Sequence, residues 1–185
     1  YRSFVNDHPT QTNYFQPILD RLQVVPSRFD IARSSIVVEG KSDYYILRYA
    51  AELAGVETVP LVPGMGAGTF DALASIHVGW NLNFFFLLDG EKKRYATDYV
   101  IPESRLILLN ELVSGVTTIE DLLDNEALQN VASEMSMQKE PNKGQIRRFF
   151  QERLASNNIK PISKGFAEKS KALLDALQLR MNKED

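Results

Sequence analysis

Residues 83–89 read NFFFLLD, five consecutive large apolar side chains, three of them Phe, closed by a carboxylate. A run this short and this uniformly apolar fits a β-strand buried on both faces, and such strands belong to parallel sheets covered by helices. The surrounding chain alternates accordingly. SIVV reads as an earlier strand, SDYYILRYAAELAG as a helix closed by Gly55, TVPLV as a second strand and RLILL as a fourth. The Gly-rich PGMGAG leads into a helix over TFDALASIHVG, and a further helix is expected over NYFQPILDRLQ. Strand–helix alternation predicts an α/β fold with a mostly parallel sheet flanked by helices. From about residue 118 the pattern is helical through TIEDLLDNEALQNVASEM, NKGQIRRFFQERLASN and SKGFAEKSKALLDALQLRMNK, which predicts a helical C-terminal extension.

A chain of 185 residues, 44% of them hydrophobic, buries one good core and is too short for two large domains. No cysteine is present and only two histidines, His8 and His77, so thiolate and histidine-rich metal sites are excluded and any metal would be a hard cation held by oxygens. No apolar run approaches the roughly 18 residues of a membrane span. A soluble, cytoplasmic protein without a membrane partner is expected. Charge is unevenly distributed: residues 139–185 hold 11 Lys and Arg against 6 Asp and Glu, a balance of +5, while the first 138 residues carry −8. A basic tail beside an acidic body suits phosphate contacts next to a carboxylate-lined site, although ordinary helix surfaces explain much of such charge.

The acidic residues fall where a parallel sheet binds its ligands, outside the carboxyl ends of the strands. Glu39 ends the first strand, Asp43 lies in the helical turn behind Gly40, Asp89 ends NFFFLLD and Glu91 follows two residues on. An acid in a first helical turn complements the helix dipole, and Ser42 could cap that helix. Glu39 and Asp89 have no such structural reason to be there. Carboxylates crowded at the ends of apolar strands repel one another and lose solvation unless cations lie between them, which points to divalent metal.

VVEGKSDYYIL, followed 50 residues after its Glu by FFFLLDGE, resembles the Toprim domain, over roughly residues 34–125. Glu39 matches that family's glutamate and Asp89 the first Asp of its Asp-x-Asp pair, with Glu91 standing where the second Asp is usual. Asp43, four residues after the glutamate, and TTIEDLL, which matches a hydroxyl-x-Glu element at Thr118 and Glu120, are similar to the overcoming-lysogenization-defect (OLD) family of nucleases. The resemblance implies a DNA endonuclease that uses two Mg²⁺ or Mn²⁺ ions and serves anti-phage defence. Glu39 and Asp43 would hold one ion, and Asp89 with Thr118 or Glu120 the other, assisted by Glu91. It also implies a catalytic lysine from the C-terminal helices, for which Lys164, at the entry to the last helix, is chosen over Lys160, Lys169 and Lys171.

The same resemblance implies an ABC-type ATPase domain ahead of this chain. Residues 1–33 would then be the junction, 34–125 the Toprim core and 126–185 the helical extension, with ATP acting only through the preceding domain. No Walker motif occurs here, since GMGAGTF lacks the Lys-Ser/Thr of a P-loop. DNA and the ATPase are the expected partners, and homo-oligomers are compatible. Toprim enzymes acting on RNA or transferring nucleotides, and a regulatory Toprim domain without catalysis, share the same carboxylates.

Overall fold

The computed structural model describes residues 34–56, 60–64, 84–91 and 101–182. Outside them lie the junction, the helices expected over NYFQPILDRLQ and TFDALASIHVG, the Gly-rich run beyond Gly64, most of EKKRYATDYVIPES, and His8, His77 and Trp80.

Among the described residues four strands form one all-parallel sheet: β1 (Ser35–Val38), β2 (Leu61–Pro63), β3 (Phe84–Leu88) and β4 (Leu106–Leu108). Their order is β2-β1-β3-β4. Every residue of β1, β3 and β4 is buried, as expected for strands covered on both faces. β1 pairs with β2 on one side and β3 on the other, with Val38 opposite Pro63 and Leu87. The chain therefore reverses its direction of travel across the sheet between β1 and β3. A reversal of this kind opens a crevice at the carboxyl ends of the two strands.

Helix α1 (Lys41–Ala54) follows β1, buries Ile46, Leu47, Tyr49, Ala50 and Ala51, and ends at Gly55, whose φ of 64° is the left-handed conformation that glycine tolerates. Beyond β4 come α2 (Leu109–Leu112), a 3₁₀ turn at Ile119–Leu122, and the longer helices α3 (Asn125–Glu134), α4 (Lys143–Ala155) and α5 (Lys164–Met181). RLILL thus gives up its last residue to α2. The helix expected through TIEDLLDNEALQNVASEM is interrupted, because Asp124 caps a new start by accepting from the Ala127 N–H at 2.7 Å.

The C-terminal helices share one core with the sheet. α1 packs on α4 and α5 through a cluster of rings: Tyr49 meets Phe150 edge-on at 5.0 Å, and Phe150 lies 5.7 Å from Phe166. Burial of each such ring is worth about 1.5–3 kcal/mol. At the polar end of the cluster, Arg153 donates to the Tyr49 hydroxyl at 2.9 Å and pairs with Glu134, while the hydroxyl also bonds both backbone groups of Lys160. Among the described residues no helix is long and apolar enough to cross a membrane.

Candidate active site

At the crevice, Glu39 follows β1, Gly64 follows β2 and Asp89 follows β3. The ends of β1 and β2 are drawn tightly together. The Gly64 N–H donates to the Val38 carbonyl at 2.7 Å, and a Cβ at Gly64 would fall on the Val38 and Glu39 carbonyl oxygens. Only glycine permits that approach.

Gly40, not Ser42, is the N-cap of α1, which puts Asp43 at the third helical position. From there its carboxylate accepts from the Gly40 N–H at 2.8 Å. Glu120 comes from the 3₁₀ turn, which is braced from three directions. The Asp121 carboxylate accepts from the Thr117 and Thr118 N–H groups at 2.8 Å each, the Gly90 N–H donates to the Thr117 carbonyl, and Lys169 Nζ donates to the Asp121 carbonyl. Burial pushes the Asp121 carboxyl up, but the Thr118 and Thr117 N–H groups and Lys169 outweigh it, holding the group below its ordinary value. Asp121 is therefore spent on the turn, and Glu120 is left to face outward from it.

Glu39, Asp43, Asp89 and Glu120 line one open cavity of about 440 Å³, together with Lys143 and Arg147 of α4. Lys41, the first residue of α1, lines the same cavity, so cations border the carboxylates from both α1 and α4. Lys143 Nζ lies 3.3 Å from Glu120 Oε2. Partial burial of Lys143 opposes its charge, yet Glu120 first, then Asp89 and Asp43, hold its pKa above the ordinary lysine value. Asp43 is pushed up to about 7, chiefly by burial, with Asp89, Glu120 and Glu39 adding repulsion that the Gly40 hydrogen bond only partly offsets.

Two of the residues chosen from the sequence stand elsewhere. Glu91 is exposed and Thr118 caps the 3₁₀ turn; neither lines the cavity. Lys164 also requires correction. Ser163 caps α5 by accepting from the Phe166 N–H at 2.9 Å, and buried Phe166 fixes the helix start, so Lys164 projects outward, 87% exposed and 3.6 Å from Glu168. Lys169, expected to face water, instead braces the 3₁₀ turn.

The two α4 cations that line the cavity, Lys143 and Arg147, went unassigned in the sequence. Their signal is the capping box Asn142-x-x-Gln145, which starts a helix at Lys143 and sets Arg147 one turn along the same face. As the side chains stand, no three of the described His, Asp or Glu residues form a closed metal-holding group. Comparison of the chain with family models, curated proteins and solved structures finds no match.

Proposed function

We propose that the chain is the Toprim-type nuclease part of a metal-dependent DNA endonuclease of the overcoming-lysogenization-defect kind, working with an ATPase domain in anti-phage defence. The observation that carries this reading is the cavity at the sheet's reversal point, where carboxylates that follow β1 and β3 meet those of α1 and the 3₁₀ turn beside two cations of α4. Its donor set fits hard divalent cations, because all four groups are carboxyl oxygens, and burial first, then mutual repulsion, has raised one of them to about 7. Glu39, Asp43, Asp89 and Glu120 would hold Mg²⁺ or Mn²⁺, which when bound supplies Lewis-acid polarisation and a nucleophilic water.

The chain's own part is positioning. Lys143 and Arg147, one helical turn apart, present ammonium and guanidinium groups to a phosphodiester, and neutralise charge that builds on it as the bond to the leaving oxygen breaks. Lys143 also opens α4 without an acidic neighbour in the first turn, where a cation is disfavoured by the helix dipole. A side chain kept against local stability in this way fits a role in binding anions.

Nicking of supercoiled plasmid in Mg²⁺, in Mn²⁺ and in EDTA tests the reading. Activity that needs the metal and is lost in Asp89→Asn supports it, and activity that persists in EDTA overturns it. One observation favours a regulatory Toprim domain instead: Glu91, standing for the second Asp, is exposed and outside the cavity. Mn²⁺ binding with no cleavage of DNA or of an RNA hairpin, alone or with the ATPase, would decide for that alternative.

A further inference from the structure

One contact in the cavity joins a carboxylate to a cation of α4. Lys143 Nζ sits 3.3 Å from Glu120 Oε2, with the lysine side chain 72% exposed and the glutamate 16% exposed. The glutamate is held by the braced 3₁₀ turn, whereas the lysine stem lies in solvent and is free to swing. An ion pair with so exposed a partner changes an equilibrium by at most about fivefold, so it is easily given up. A divalent ion drawn to Glu39, Asp43 and Asp89 would meet that ammonium at the fourth carboxylate, and two cations would then compete for the charge of one carboxylate.

We infer that Lys143 is the internal counter-ion of Glu120, displaced when a divalent cation enters the cavity. The inference rests on the metal-dependent reading above and adds an order of events to it. Before the ion binds, the ammonium neutralises Glu120. Once the ion has taken that carboxylate, Lys143 is released on the side of the cavity where Arg147 also faces an incoming phosphate. While it pairs with Glu120 the ammonium spends its charge and a donor there, so the anion-binding groups reach full strength only when metal is present.

The test is calorimetric titration of Mn²⁺ into the intact chain, Lys143→Met, Arg147→Met, Glu120→Gln and the Glu120→Gln/Lys143→Met pair, without nucleic acid. Lys143→Met is expected to bind Mn²⁺ about two- to fivefold more tightly than the parent. Arg147→Met, which removes one charge from the same cavity, serves as the control for general electrostatics and should change affinity less. With Glu120→Gln in place, Lys143→Met should give no more than the Arg147→Met effect, a non-additivity that marks direct coupling. Equal effects of the two single cation variants, or a full Lys143→Met effect without the Glu120 carboxylate, would overturn displacement while leaving the metal site intact. Failure of the parent to take up Mn²⁺ would overturn both. Thermal unfolding of each variant checks folding, which exposed Lys143 is not expected to affect.

Discussion

Asp43 shows how one residue can record the cost of a site. Its carboxyl is raised from 3.8 in an unfolded chain to about 7, so between those values the folded protein holds a proton that the unfolded chain has released. This group's contribution to stability is therefore fully present below about pH 4, is lost as pH rises toward 7, and is flat above that. Burial drives the shift, the Gly40 N–H opposes it, and Asp89, Glu120 and Glu39 add to it. In EDTA, thermal midpoints measured from pH 4 to 8 should decline through this window. Asp43→Asn keeps an acceptor for Gly40 but carries no charge, so it should flatten the decline and exceed the parent at pH 8. Lys143 offers a second test at this scale. Lys143→Ala should slow metal-dependent cleavage by about 10²-fold, whereas Lys164→Ala, which changes an exposed pair remote from the cavity, should cleave at the parental rate.

Single elements are held to the crevice by close approaches that leave no room for a side chain. Gly64→Ala would press its methyl onto the Val38 and Glu39 carbonyl oxygens, and backbone on both sides gives little. A loss of about 1–3 kcal/mol is expected in denaturant unfolding, with weaker Mn²⁺ uptake because Glu39 is displaced. Tyr49→Phe should cost about 1–3 kcal/mol, since its hydroxyl satisfies Arg153 and Lys160 at once. Element boundaries also explain what can be read from sequence. Glu39, Asp43 and Asp89 are legible because each stands at a fixed offset from a strand end or helix start, and those ends are written in local apolar runs. Glu120 comes only with the resemblance of TTIEDLL to a hydroxyl-x-Glu element, and its expected helix proves to be a 3₁₀ turn followed by a fresh start. Lys143 is not legible, because its place depends on how α4 packs on α1. Lys164 stands outside the cavity lining for a related reason: the Ser163 cap and Phe166 fix the rotation of α5, and that rotation points Lys164 to solvent.

At the scale of the molecule, the sheet and the C-terminal helices form one packed body, with Tyr49 from α1, Phe150 from α4 and Phe166 from α5 in a single aromatic cluster. Ending the chain at residue 125 would expose that face of α1 and remove the two cavity cations of α4. Such a truncation is expected to lose cooperative unfolding by circular dichroism. The alternating fold class is plain in the sequence because apolar periodicity is local, while this fusion of core and extension is a matter of long-range packing that periodicity does not encode.

The strand order carries a consequence for assembly. Glu39 and Asp89 become neighbours only when β3 docks beside β1, a parallel pairing that closes a loop of about 50 residues and belongs to the slow, non-local part of folding. The unfolded chain therefore holds no version of the site, and any cation that binds there selects the finished sheet alone. By mass action, Mn²⁺ at 100 times its dissociation constant would then add about 2.7 kcal/mol to the native state. In cells, the supply of divalent ion would set how long the sheet survives as well as whether its edge is active.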